Sequence, residues 1–298
     1  MFKKHIKNQC KRDTGQLAFN PIIILVLFLT IGFATPMVWA EKHRGPTAWA
    51  KKTWGPAVWA EENGDEDEIP FDEAKIFFEL NDTDGDLGIH ALIDGEPWKR
   101  LEIVDPNEMR MLNIRLRGRL KRQGLTEVFF ESAEPSFDEL EPKDFFRRFP
   151  EGEYEIEGIT LEGEELEGEV WLSHVLPAPP EGIEINGIAA AEDCDADILP
   201  TVSGPITISW DPVTESHPDL GKEGEVEIEQ YQLVVEQVGD GDDFTLSFEL
   251  SVNDENRENR WEVEIPADLI PVGDTKFEIL VRDENQNQTA VESCFIVE

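Results

Sequence analysis

Three aspartates at alternate positions, Asp82, Asp84 and Asp86 in Asn81-Asp82-Thr83-Asp84-Gly85-Asp86, are the residues of this chain best spaced for chemistry. Carboxylates two residues apart on a tight loop converge on one hard cation, and Ca²⁺ accepts roughly six to eight such oxygens. They fill the first, third and fifth positions of a twelve-residue calcium loop, with Ile89 at its apolar eighth. Leu87 stands where that loop needs glycine, Ile93 where a bidentate glutamate closes it, and both flanks read as strands instead of helices. The expectation is therefore an Asp-rich β-turn, read first as a simple Asx turn without an ion. Its alternative is a turn that binds Ca²⁺ through Asp82, Asp84 and Asp86, helped by Asp94 or by carbonyls elsewhere. Asp193, Asp195 and Asp197 around Cys194, and the acidic loop from Gly239 to Asp243, are weaker versions of the same pattern.

Catalytic patterns are missing. No Gly-x-Ser-x-Gly, His-Glu-x-x-His or phosphate-cradling glycine loop occurs. The histidines beyond the first forty residues are His43, His90, His174 and His217, and His90 is the first to test because it follows the aspartate turn closely. Carboxylate pairs suited to glycoside hydrolysis cannot be picked out where acidic residues are so abundant. No catalytic residue is assigned.

The elements that would position these groups follow a leader. Lys3, Lys4, Lys7, Lys11 and Arg12 precede an apolar run from Pro21 to Ala34, which is shorter than the roughly 20 residues of a membrane span. Val38-Trp39-Ala40 offers a cleavage site, and the Pro-x-x-Trp-Ala cassette recurs at residues 46–50 and 56–60. Residues 1–40 are expected to be a signal peptide, and 41–69 the repeated cassette and an acidic linker. The product would be periplasmic or extracellular, with no membrane span after cleavage. Cutting after Ala40 takes five Lys/Arg and one Asp from the 26 basic and 65 acidic side chains, leaving a formal charge of −43. Such a charge repels nucleic acid and keeps the chain soluble, so the expected partner is a protein or glycan at the cell envelope. Two cysteines, Cys194 and Cys294, lie beyond the leader, and an oxidising compartment would join them across about 100 residues. The alternative is two separate buried thiols.

Period-two alternation dominates the remainder. Residues 70–176 read as a β-rich domain with strands at 75–80, 87–93, 98–104, 109–119 and 125–131 and a hairpin over 153–173. Asp94-Gly95 and Asp105-Pro106-Asn107 read as turns, and one helix runs after Ser136 until Pro150. Arg115, Arg117, Arg119 and Lys121 form a basic stripe that is expected to pair with Glu153, Glu155, Glu157 and Glu165, Glu167, Glu169 across the sheet, the alternative being an anion site. Leu176-Pro177-Ala178-Pro179-Pro180 reads as a stiff extended segment between domains. Asn287-Gln288-Thr289 is a formal glycosylation acceptor.

Residues 177–298 carry strand patterns at 205–210, 228–237, 244–250, 260–265, 276–282 and 289–297. Ile206-Thr207-Ile208-Ser209-Trp210-Asp211-Pro212 resembles the second strand of a fibronectin type III domain with its core tryptophan, and Tyr231-Gln232-Leu233-Val234-Val235 is similar to the third. Leu269-Ile270-Pro271 followed by Lys276-Phe277-Glu278-Ile279-Leu280-Val281 looks like that family's Leu-x-Pro turn and next strand, with Phe277 replacing the usual tyrosine. The resemblance implies a β-sandwich that serves as a spacer or binding module. The first domain resembles uncharacterised exported bacterial proteins. The whole reads as a mainly β chain, a β-rich domain with one helix followed by a fibronectin type III-like sandwich. It is expected to act as an exported non-catalytic binding or surface-associated module; the alternative is a secreted hydrolase with active carboxylates in the first domain.

Overall fold

A computed structural model describes residues 69–238 and 244–298. The leader, the Pro/Trp cassettes and most of the acidic linker lie outside the described residues, as does the whole Gly239–Asp243 loop. In chain order the elements are β1 (Ile69–Pro70), β2 (Glu73–Asn81), β3 (Asp86–Val104), β4 (Arg110–Arg115), α1 (Leu120–Gln123), β5 (Leu125–Glu131), α2 (Pro142–Arg148), β6 (Gly152–Thr160) and β7 (Glu165–Leu172). They continue with β8 (Glu184–Ile185), β9 (Ile188–Ala189), β10 (Thr201–Val202), β11 (Ile206–Trp210), β12 (Ile228–Gln237), β13 (Thr245–Ser251), β14 (Trp261–Ile265), β15 (Gly273–Asp283) and β16 (Gln288–Val297). The fold is mainly β, and no helix among the described residues is long and apolar enough to cross a membrane.

Alternation sets the first core. In β6 the side chains of Tyr154 and Ile156 point inward while Glu153, Glu155 and Glu157 face solvent. Phe78, Leu80, Ile89, Trp98, Leu101 and Tyr154 fill the interior with Phe145 of α2. The rings of Phe145 and Phe146 meet Phe78 edge-on, with centroids 6.1 and 5.3 Å apart. Pro142 occupies the first turn of α2, where its missing N–H costs no hydrogen bond.

Three local expectations change. Asp94-Gly95 makes no turn, since β3 runs through it as a single 19-residue strand. Gly95 lies so close to Phe71 that a Cβ would come within 3.0 Å of its ring, and the register slips on either side of Trp98. At this bend β3 exchanges neighbours, from β2 and β5 to β6 and β4. The strand expected over 109–119 stops at Arg115, because Gly118 turns the chain with φ +60° and α1 follows. The proline segment is packed: Leu176, Pro177 and Pro180 are buried, and the Ala178 N–H donates to the Glu215 carbonyl at 2.9 Å.

The second core lies between two sheets. Tyr231, Leu233, Phe277, Ile279 and Phe295 from β12, β15 and β16 face Ile185, Ile208, Trp210, Val263 and Ile265 from β8, β11 and β14. This is a β-sandwich, with one face ordered β14-β11-β8-β9 and the other β16-β15-β12-β13. Trp210 is fully buried 5.7 Å from the ring of Tyr231, whose hydroxyl accepts from the Val213 N–H at 2.7 Å.

The two cores share a sheet. β16 pairs in parallel with β2 through Gln288–Glu79, Thr289–Leu80 and Ala290–Asn81, giving a twelve-stranded sheet. Asn287 stitches this seam: its Oδ1 accepts from the Phe78 N–H at 2.9 Å while its Nδ2 donates to the Ser173 and Val175 carbonyls at 3.0 and 2.8 Å. Thr289 Oγ1 donates to the Pro177 carbonyl at 2.7 Å. Asn287 is fully buried with both ends of its amide engaged, so the formal glycosylation acceptor is sealed in the folded chain.

Candidate functional site

The aspartate turn joins β2 to β3 at the seam. Asn81 Oδ1 accepts from the Thr83 and Asp84 N–H groups, both at 3.1 Å, and the Gly85 N–H donates to the Asn81 carbonyl, which makes an Asx-type turn. Its three carboxylates take different surroundings. Asp82 Oδ1 lies 3.0 Å from Nε2 of the buried His217, and Asn81 Nδ2 donates to Asp84 Oδ2 at 3.5 Å. The pKa of Asp84 is raised by burial and then by Glu292, with Lys276 opposing and Asp193 adding to the rise. Burial, followed by the charges of Glu134, Asp84, Glu292 and Glu79, pushes Asp86 up to about 7.

Asp193 comes near Asp84 because the chain is tied there. Cys194 is bonded to Cys294 on β16, and Ser293 Oγ donates to the Ala191 carbonyl at 2.9 Å. The structure thus joins the two cysteines across a separation of 100 residues and brings Asp193 of the second acidic triplet near Asp84 of the first. An open cleft of about 390 Å³ lies between them, bordered by Asp82, Thr83, Ile183, Asp193 and Glu292.

Among the described residues, one group of three side chains brings metal-ligating atoms within 4.8 Å of one another: Glu79, His90 and Glu134. Asp82, Asp84 and Asp86 are not drawn together in this way. His90 is buried between the rings of Phe77 and Phe129, with Nε2 3.2 Å from Glu134 and Nδ1 3.9 Å from Glu79. Strand register sets this up, since Phe77 opposes His90 and Glu79 opposes Gly88 on the face turned away from the core. Glu134 returns after β5 and lays its carboxylate where a Cβ on residue 88 would sit, so the strand carries glycine there. Burial disfavours the imidazolium, but the Glu134 hydrogen bond and the charges of Glu79, Glu134 and Glu131 outweigh it and raise the pKa. Burial likewise raises the pKa of Glu79, against the opposing pull of His90. The raised pKa of His90 favours the imidazolium as counter-charge to these carboxylates, and a metal ion would compete with a proton for the ring. Glu79 and Glu134 carried no sequence signal as a pair; the isolated Gly88 within a strand pattern was the available hint.

The basic stripe does not pair as expected. β4 lies against β3, while the glutamates of β6 and β7 oppose one another as Glu155–Glu169 and Glu157–Glu167. β4 and β6 lie on opposite edges of β3, and Arg115, Arg117, Arg119 and Lys121 form no ion pair among the described residues. Arg100, Arg110 and Asn113 instead converge on the buried Glu102, whose pKa is lowered chiefly by the Arg100 and Arg110 hydrogen bonds.

No protein-family model matches the chain, and no curated protein matches it. Among solved structures it is similar to a 1.5-MDa bacterial ice-binding adhesin, with 10% identity and TM-score 0.23 over 78% of this chain and 66% of that one. It is similar to the tetra-tandem repeat in the extending region of a large adhesion protein, with 7% identity and TM-score 0.25 over 76% and 50%. The 47-kilodalton lipoprotein Tp47 of Treponema pallidum gives 12% identity and TM-score 0.29 over 80% and 53%. The chain spans less than two thirds of each of these proteins. At such TM-scores neither a common architecture nor a common activity follows.

Proposed function

We propose that this chain is an exported, non-catalytic binding or surface-associated module, stabilised by calcium at the Asp82–Asp86 turn. The observation that carries the reading is the seam itself. Two β cores are fastened through a shared sheet, the Asn287 amide and the Cys194–Cys294 bond, as suits a body that holds surfaces at fixed spacing. A disulfide fits an oxidising compartment, in line with the leader read from the sequence. The second core is proposed as a fibronectin type III-type sandwich, supported by Trp210 and by its two-sheet strand order. Calcium would draw on Asp84 and Asp86, whose ionisation is opposed by burial and then by neighbouring acids, a repulsion that a divalent ion relieves; Asp82 would have to leave His217 to join them.

Thermal unfolding with calcium and with chelator tests the metal. Ligand at a hundredfold excess over its Kd stabilises by about 2.7 kcal/mol, roughly 5–11 °C for a chain of this size. Asp84→Asn is expected to abolish the shift, and an unchanged midpoint in the parent protein would remove calcium from the proposal.

A hydrolase is the second reading, favoured by the close approach of Glu79 and Glu134 and by the burial that raises the pKa of Glu79. Labelled protein mixed with isolated cell envelopes separates the two. Saturable binding that survives Glu79→Gln with Glu134→Gln is expected for a module. Release of new reducing ends that disappears in that double variant would mark an enzyme.

A further inference from the structure

We infer that the basic cleft between β3, β4 and α1 is a binding site for a compact phosphate or sulfate ester. The cleft encloses about 390 Å³ and is lined by Lys99, Arg100, Arg115, Arg117 and Lys121 over the buried Leu116, with no carboxylate in its wall. That volume suits a single anionic headgroup.

Three of the five cations in the cleft, Arg115, Arg117 and Lys121, have no carboxylate partner among the described residues. In a chain of 26 basic and 65 acidic side chains, cations are readily paired. Arg100 has Glu102, and Lys99 Nζ donates to the Leu161 carbonyl at 3.4 Å. Arg115, Arg117 and Lys121 form no ion pair among the described residues. Arg115 stands directly across from Arg100 in the β3–β4 ladder, a like-charged pairing that weakens a sheet. Gly118, at φ +60°, then turns the chain so that Arg117 and Lys121 reach the same cleft from either side of the bend. Guanidinium forks aimed at one space match the oxygens of a tetrahedral oxyanion.

The surroundings also limit the ligand's length. Ile159 forms a wall of the cleft and pairs with Glu165, and Glu157 lies two residues along the same exposed face. A long polyanion leaving the cleft would run onto these glutamates and into the field of a strongly negative chain, whereas a headgroup-sized anion ends before reaching them. Phosphate and sulfate esters share this chemistry whether carried by a free sugar or by a lipid. Anion capture here is independent of both the calcium turn and envelope attachment, so a chain that fails those tests can still pass this one.

Isothermal titration of the purified protein with inorganic phosphate, inorganic sulfate and glucose 6-phosphate tests the site. Arg115→Gln with Arg117→Gln is expected to weaken glucose 6-phosphate binding at least tenfold, and Lys121→Gln several-fold, with unchanged melting temperatures. Arg257→Gln, which removes a cation already paired with Glu227 and Asp254, should leave binding intact. Flotation with phosphatidylcholine vesicles containing phosphatidic acid identifies a lipid source, and binding of the soluble ester alone identifies a free one. Equal affinity in the double variant, absence of binding to all three anions, or tighter binding of long-chain polyphosphate than of glucose 6-phosphate would overturn the inference.

Discussion

Glu278, on the face of β15 turned away from the sandwich core, pairs across the sheet with Glu292 and is surrounded by acids. Its pKa is pushed up to about 7 by burial and then Glu79, with Lys276 opposing and Glu292 and Glu236 adding to the rise. An acid whose folded pKa exceeds its unfolded value binds more protons when folded, so between about pH 4.5 and 7 its contribution to stability falls as pH rises. His90 works in the same sense: its raised pKa adds stability below 6.5 that is lost as pH climbs through the folded value. The protein is therefore expected to melt higher at pH 5.5 than at pH 8. Glu278→Gln should raise the midpoint at pH 8, by roughly 2–4 °C for each kcal/mol relieved, and change it little at pH 5. An equal response at both pH values would show that this carboxylate ionises without penalty. His90 was legible in the sequence as the histidine beside the aspartate turn. Its partner Glu134 was not, because 44 residues separate them and only the path of the segment after β5 brings them together.

At the scale of elements, the strands whose alternation faces a single core were the readable ones: β12 spans the expected residues, and β15 and β16 differ only at their ends. Misreadings fell where alternation continued but backbone geometry did not. Period two runs through Arg115, Arg117 and Arg119, yet a left-handed Gly118 ends the strand there. Asp94-Gly95 has turn composition, but β3 continues because Phe71 packs against the glycine. The β2–β16 junction had no sequence mark, since a parallel contact of three residue pairs needs no hairpin signal. Asn287 shows how much rests on it. Asn287→Ala leaves the Phe78 N–H and the Ser173 and Val175 carbonyls without this partner in a buried setting, and is expected to cost about 2–4 kcal/mol in urea unfolding. A loss below about 0.5 kcal/mol would mean that water or a local shift replaces the amide.

For the whole molecule, the question is whether two cores behave as one. Each core is apolar and closed within its own strands, which alone would give two independent transitions. Between them lie Asn287 and Thr289, the Asp82–His217 pair, the Lys222–Glu151 ion pair and the reciprocal bonds of Thr83 with the Glu292 backbone, so opening one core strips polar partners from the other. The packed proline segment adds to this coupling, because Ala178 and Pro177 are bonded to residues 215 and 289 and do not hang as an exposed hinge. Calorimetry is accordingly expected to show one cooperative transition, and limited proteolysis to spare residues 176–180. Asn287→Ala should broaden or split the transition as the seam weakens before either core does. Two resolved peaks in the unaltered protein, with early cutting at 176–180, would mean that the seam contributes less than the cores and that the body bends where the structure shows it fastened.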